Sequence, residues 1–183
     1  MVRSVDPAVD VTGVVVCQSL AGLSERSADA ERRGREILAA KGIEDPDRDA
    51  WYPLRPWLDA LTEVGATLGE DALVDLGRKV PEGVRWPPEV DSARDGFATV
   101  NEAYQMNHRG GDIGYYEFRE TDERKQQVVC ANPYPCSFDK GIIEGTLRAF
   151  GYQFSYPPMA FIHETSDRCR AEGGDQCEYR VTW

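Results

Sequence analysis

The chain reads Cys136-Ser-Phe-Asp-Lys-Gly-Ile-Ile-Glu-Gly145 and, further on, Cys169-Arg-Ala-Glu-Gly-Gly-Asp-Gln-Cys177, and these two stretches decide the expected fold. The first opens a helix that the spacing of its apolar residues predicts over 137–150. The second contains paired glycines, which predict a hairpin turn between two strands. If that turn has three or five residues, Cys169 and Cys177 stand opposite each other, about 4.5–5.5 Å apart at Cβ.

Four of the five cysteines fall into two clusters, Cys130 with Cys136 and Cys169 with Cys177. In a chain without a secretion signal, spaced cysteines more often bind metal, act in catalysis or are buried than form disulfides. Two thiolates across a hairpin are close enough to share a soft cation such as zinc, and a helix N-terminus would favour a third thiolate at Cys136. Spacing alone equally fits small buried side chains, which is how we interpret Cys17.

The rest of the chain predicts an α+β fold, with helices first and an antiparallel sheet later. Residues 12–17 are expected to form a short strand. Apolar spacing predicts helices over 23–40, 51–68, 71–79 and 91–107. Later strands are predicted over 113–119, 126–130, 160–165 and 178–183. We therefore expect one domain over residues 1–183, with 1–11 as a flexible tail and N-terminal helices packed on a twisted antiparallel sheet that ends in a C-terminal β-hairpin.

The charge balance restricts the class of partner. A net charge of −11, from 32 acidic and 21 basic residues, argues against a polyanion such as nucleic acid. Apolar runs such as 12–16 are far too short to span a bilayer, and the first ten residues lack the features of a signal peptide. The sequence therefore predicts a cytoplasmic protein with no membrane or nucleic-acid partner.

The C-terminal pattern resembles the 4-vinyl-reductase domain family over roughly the last 50 residues. That family has a cysteine before a glycine-containing helix, and then a cysteine, a glycine turn and a second cysteine ahead of a closing strand. It shares its fold with TRAPP-type Golgi transport subunits and, more distantly, with NO-sensing haem domains. The resemblance implies an intracellular sensory domain that binds a small apolar or aromatic molecule, with a second copy or an output protein as its partner.

The same resemblance implies a structural zinc ion held by three cysteines and a carboxylate. Cys136, Cys169 and Cys177 match the three cysteines of the family. The carboxylate has no match, because Ser166 stands at its expected position, so the fourth donor stays open. Cys130 is the favoured candidate for that donor, ahead of His163, Glu164 and Asp167. The chain between the first two matched cysteines is also longer than in the family, with Tyr156-Pro157-Pro158 inserted.

Two alternative functions stay open for this cysteine pattern. It is also similar to bacterial 2-amino-thiazoline-4-carboxylate hydrolases, which implies Cys136 as a nucleophile assisted by Asp139, with His108 or His163 as base. A TRAPP-like module would instead bind a partner protein and no small ligand. The sensory interpretation assigns no catalytic residue, and under it we do not expect an enzyme.

A ligand pocket is predicted around His108, which follows a helix and precedes Gly110 and Gly111. Trp86 and Tyr115 are the candidates for contact with the ligand, because aromatic side chains commonly line such sites. His108 could equally complement the end of its helix. Haem is not expected, because the Tyr-Ser-Arg haem-propionate motif of the NO sensors is not present.

Overall fold

The computed structural model describes residues 5–122, 125–151 and 161–183. The helices of these stretches are α1 (Gly13–Arg26), α2 (Ala28–Ala40), α3 (Leu54–Leu68), α4 (Glu70–Lys79), α5 (Ala93–Met106) and α6 (Cys136–Phe150). Their strands are β1 (Asp10–Thr12), β2 (Trp51–Pro53), β3 (His108–Arg109), β4 (Tyr115–Asp122), β5 (Lys125–Ala131), β6 (Phe161–Glu164) and β7 (Cys177–Thr182). Among the described residues, no helix is long and apolar enough to cross a membrane.

The helices form because each presents an apolar stripe to a shared core. In α3, Trp57, Leu61 and Val64 lie three or four residues apart and are at most 1% exposed. Ser27 separates α1 from α2, because its hydroxyl accepts a hydrogen bond from the amide of Ala30 and caps the second helix. The single helix predicted over 23–40 is therefore two helices that meet at this serine.

The strand predicted over 12–17 is wrong, because helix α1 begins at Gly13. Val16, Leu20 and Leu23 follow one another at spacings of four and three residues, and all three are buried. A short run of β-branched residues cannot by itself be distinguished from a segment of a buried helix. The longer helical spacing decides the outcome here, since it lets α1 pack along α2 and α4.

Helices α4 and α6 cross so closely that their backbones touch. A Cβ atom on Gly141 would lie 2.3 Å from the carbonyl oxygen of Val74, and one on Gly77 would lie 2.1 Å from the carbonyl oxygen of Phe138. Real Cβ atoms do not approach other atoms so closely, so both positions require glycine. The crossing fixes the position of the first turn of α6, which begins at Cys136.

The strands form two antiparallel sheets, in the orders β2-β1-β3 and β4-β5-β7-β6. In the larger sheet, Cys130 of β5 lies opposite Cys177 of β7. The expectation that Cys169 faces Cys177 across a hairpin is wrong, because Cys169 lies outside the strands, just before a 3-10 turn at Arg170–Glu172. That turn ends at Gly173, whose positive φ of 92° favours glycine.

The structure agrees with the prediction at the C-terminal end of the chain and differs from it near the N-terminal end. Strands β6 and β7 form the predicted C-terminal hairpin, with Phe161 opposite Thr182, and the predicted α+β fold class is confirmed. Val9 and Val11, two residues of the expected tail, are almost fully buried and belong to the core. The inserted Tyr156-Pro157-Pro158 stretch lies outside the described residues.

Candidate functional site

Three cysteine sulfurs meet at the entrance to α6. Cys136 is the first residue of that helix, Cys169 precedes the 3-10 turn, and Cys177 begins β7. The Sγ atom of Cys136 lies 3.2 Å from that of Cys169 and 3.3 Å from that of Cys177, and the last two are 3.3 Å apart. A group of sulfurs this close could hold a metal ion. The structure thus brings together three of the four cysteines that the sequence suggested as metal ligands.

The candidate fourth donors lie outside this three-cysteine cluster. Within the described part of the chain, no ligand atom of Cys130, His163, Glu164 or Asp167 joins the three sulfurs in a group within 4.8 Å. The last three side chains are exposed, whereas Cys130 is fully buried. Burial raises the pKa of the Cys130 thiol well above its ordinary value, so it packs as a small neutral side chain.

The thiols of the cluster differ in their tendency to ionise. The pKa of Cys177 is lowered to about 5, chiefly by the thiol of Cys136 and further by Arg170, whose backbone amide and Nε lie 3.4 and 3.5 Å from its sulfur. The pKa of Cys136 is raised, chiefly by its contact with Cys177. A raised pKa disfavours the thiolate that a nucleophilic Cys136 would need.

A buried ion pair lies between the cluster and the interior. The guanidinium of Arg170 binds the carboxylate of Asp139, whose side chain is fully buried. Asp139 also accepts hydrogen bonds from the hydroxyl of Tyr116 and from the side-chain amide of Asn132. Burial raises the pKa of Asp139, and the charge of Arg170 opposes that rise. Sequence reasoning considered Asp139 only as a hydrolase residue and missed Arg170, since no local pattern shows that a turn arginine reaches a helix.

A cavity of about 50 Å³ lies between α1, α5 and α6. Its wall is largely apolar and includes Val15, Val100, Phe138 and Ile142. A space of this size holds one or two water molecules or a small molecule of a few atoms. The cavity is therefore suited to a very small ligand in the conformation that the structure shows.

His108 determines the chemistry of this cavity. Its Nδ1 atom lies 2.7 Å from the carbonyl oxygen of Tyr104, and its Nε2 atom lies 2.7 Å from the hydroxyl oxygen of Tyr134. A carbonyl only accepts, so Nδ1 carries the proton and the lone pair of Nε2 accepts a hydrogen bond from the tyrosine. Burial lowers the pKa of His108 to about 4, and the ring is neutral at neutral pH. Neutral imidazole is the form that binds metals through a nitrogen lone pair, and in this structure Tyr134 holds the lone pair of Nε2.

The lowered pKa of His108 predicts a loss of stability in mild acid. In the unfolded chain the ring binds a proton near pH 6.5, whereas in the folded chain it stays neutral down to about pH 4. The unfolded state therefore takes up more protons as the pH falls from about 6.5 to 4, and the free energy of unfolding should drop by about 3 kcal/mol over that range.

Urea unfolding between pH 7.5 and 4 measures this effect. His108→Gln should remove this part of the acid sensitivity, while His163→Gln, at the exposed second histidine of the chain, should leave it in place. An unchanged pH profile in His108→Gln would contradict the assignment.

Trp86 and Tyr115, the other predicted pocket residues, lie in different places. Trp86 lines the cavity, donates a hydrogen bond of 2.9 Å to the carbonyl of Pro81 and packs edge-on against Phe150. Tyr115 is 41% exposed at the start of β4 and does not line the cavity. Sequence reasoning did not identify Tyr104 as the residue that orients His108, although the spacing of four residues is that of one helical turn.

Comparison with known proteins finds a match at the level of structure. No protein family model and no curated protein sequence matches this chain. An H-NOX protein from S. oneidensis in the Fe(II)NO ligation state aligns with a TM-score of 0.64 and 12% identity, over 93% of this chain and 97% of that one. An oxygen-binding H-NOX domain related to soluble guanylate cyclases aligns with a TM-score of 0.61 and 14% identity, over 93% and 94% of the two chains. This chain has the H-NOX fold.

A third solved structure that aligns with this chain concerns haem. It comes from work on modulating haem redox potential through protein-induced porphyrin distortion, and it aligns with a TM-score of 0.63 and 13% identity. The alignment covers 94% of this chain and 99% of that one. The residues around the cavity would therefore have to hold haem.

The H-NOX fold corrects two expectations drawn from the cysteine pattern. The resemblance to 4-vinyl-reductase domains and the one to thiazoline-carboxylate hydrolases are wrong, because the solved structures that match are H-NOX domains. The expectation of zinc as the cofactor, with haem not expected, is wrong as well, because a solved structure that aligns with this chain comes from work on haem. The cysteine pattern covers only about 50 residues and reports local packing, whereas the helices and sheets of the whole chain determine the H-NOX fold.

The chemistry of the cavity fits haem, although its present volume is small. His108 offers a neutral imidazole that would hold the iron of haem, and the surrounding wall is apolar. Common ligand sites enclose about 300–1,000 Å³, so the walls of this cavity have to separate before a group of that size can enter. Tyr134 has to move first, because its hydroxyl occupies the Nε2 atom of His108.

Proposed function

We propose that this protein is a haem-based sensory domain for a small gas-like molecule, with His108 as the ligand of the haem iron. The state of His108 carries the proposal: the ring is buried and neutral, its Nδ1 proton is held by a backbone carbonyl, and its Nε2 atom lies at an apolar cavity. The H-NOX fold supports it, since solved structures with that fold include an Fe(II)NO form and an oxygen complex.

The residues around His108 would have distinct roles in binding haem. Bound haem would supply an iron atom that can take a diatomic ligand. The carbonyl of Tyr104 orients the imidazole and keeps the lone pair on Nε2, a type of support that strengthens metal ligands. Val100 and Ile142 keep water away from the site, since both contribute apolar surface to its wall.

Titration of the purified protein with ferric haem tests the proposal. We expect a saturable Soret band at one haem per chain, and a change of that band when carbon monoxide is added to the reduced form. His108→Ala should weaken haem binding about tenfold or more. The matched control is His163→Ala, at an exposed position, which should bind haem as the unmodified chain does. Haem binding that is not saturable, or that is equal in both variants, would contradict His108 as the ligand.

The proposal makes the protein a sensor and not an enzyme, and it includes no zinc. It also includes a cytoplasmic location and a second copy or an output protein as partner. Strand β6 is an edge strand of the described sheet, and the side chain of Phe161 on it is 65% exposed. An edge strand offers unpaired backbone groups with which another chain can pair.

A further inference from the structure

The three-cysteine cluster of Cys136, Cys169 and Cys177 has a geometry of its own. Tetrahedral metal coordination with bonds of about 2.3 Å places sulfur ligands about 3.8 Å apart. The sulfurs of this cluster are 3.2–3.3 Å apart, which is closer than that arrangement gives. A centre that makes three bonds at angles close to a right angle, with a lone pair in the fourth direction, brings three sulfurs closer together than a tetrahedral ion does.

The surroundings of the cluster also favour three bonds. Within the described residues, no fourth ligand atom joins the three sulfurs. The N–H groups of Arg170 lie 3.4 and 3.5 Å from the sulfur of Cys177, and hydrogen-bond donors do not bind cations. Arg170 therefore supplies no fourth ligand on its side of Cys177.

The charge balance of the cluster points to a trivalent centre. Arg170 pairs with the carboxylate of Asp139 and also lies beside the sulfur of Cys177, so its single positive charge faces two acidic groups. Three thiolates with a trivalent centre are neutral, whereas three thiolates with a divalent ion keep one negative charge. Cys136 and Cys169 are partly buried and Cys177 is buried, and such an environment disfavours an uncompensated charge.

We propose that Cys136, Cys169 and Cys177 bind a trivalent metalloid of the arsenite class through three sulfur–arsenic bonds. Each thiol gives up one proton and arsenous acid gives up its three hydroxyl groups, so three water molecules leave. The arsenic stays trivalent, and the reaction needs no oxidant or reductant. Cys130 takes no part. This site is separate from the cavity at His108 and does not depend on the proposed haem function.

Native mass spectrometry of the reduced full chain with arsenite tests the site. The expected result is a gain of one arsenic atom with a loss of three protons. Cys17→Ser is the matched control, because Cys17 only donates a hydrogen bond to the carbonyl of Pro46, which serine can also do. It should bind arsenite as the unmodified chain does, while Cys169→Ser should bind about tenfold more weakly or worse, since a chelating bond is lost.

Circular dichroism shows whether Cys169→Ser is still folded, and phenylarsine oxide, which bonds to only two thiols, tests the remaining pair. This compound should still bind the variant through Cys136 and Cys177, whose sulfurs are 3.3 Å apart. The proton count in the unmodified chain decides the proposal even if the variant does not fold. A loss of two protons, no arsenite binding, equal binding by Cys169→Ser, or a tightly held divalent metal that arsenite does not displace would each overturn the proposal.

Discussion

Replacing Gly141 with valine should leave little or no folded protein. The first atom of any side chain at this position would lie 2.3 Å from the carbonyl oxygen of Val74 and 2.8 Å from the backbone amide of Arg78. Both neighbours are backbone atoms of α4, so the overlap can be relieved only by moving one helix away from the other. Overpacking commonly costs about 1–3 kcal/mol, and a clash between two backbones lies at or above the upper end of that range. Proteins of this size are stable by only about 5–15 kcal/mol.

The matched control for Gly141→Val is Lys140→Val, at the preceding, exposed position of α6. It introduces the same side chain into the same helix, so it reports the low helix propensity of valine without the clash. Circular dichroism and thermal unfolding of both variants measure the difference. Equal melting temperatures would show that the close crossing of α4 and α6 is not required for the fold.

Removing the charge of Asp139 should destabilise the protein by about 3–5 kcal/mol, because Arg170 would keep a charge without its partner. Asp139 is fully buried, and the side chain of Arg170 is only 11% exposed. Asp139→Leu and Arg170→Met should each carry a cost of this kind. The double variant should be more stable than the sum of the two single costs predicts, since neither charge is then left alone.

Urea unfolding of the two single variants and the double variant forms a complete cycle. Arg94→Met is a control, because Arg94 pairs with Glu120 at the surface and both side chains are well exposed. Its cost should be a small fraction of that at Arg170, as is usual for exposed ion pairs. Additive costs for Asp139→Leu and Arg170→Met would contradict a direct interaction between the two buried charges.

The sequence predicted the elements that depend on local spacing. The stripe of Trp57 and Leu61 predicted α3, and the apolar residues after Cys136 predicted α6, because a helix places residues three and four apart on one face. The C-terminal hairpin was predicted from its turn glycines. These patterns specify structure within one element or between two neighbours in sequence, and they were sufficient for the α+β class.

Contacts between distant elements were not predictable in this way. Cys177 lies opposite Cys130 and not opposite Cys169, because β7 pairs with β5 in the middle of the sheet. The contact of Arg170 with Asp139 depends on how the 3-10 turn lies against α6. His108 was identified from its position after a helix, but its neutral state depends on burial by the whole fold. The resemblance to 4-vinyl-reductase domains was wrong for the same reason. It rested on a pattern of about 50 residues, which does not determine how the elements of the whole chain pack together.

The first turns of α6 belong to two sites at once. Cys136 contributes a sulfur to the three-cysteine cluster, while Phe138 and Ile142, two and six residues further along the helix, form part of the cavity wall. An occupant of either site that shifts this end of the helix also reshapes the other site. Thermodynamic linkage then makes the effect reciprocal. If a ligand at the cysteines changes the affinity of the cavity for its own ligand by some factor, the ligand in the cavity changes the affinity of the cysteines by the same factor.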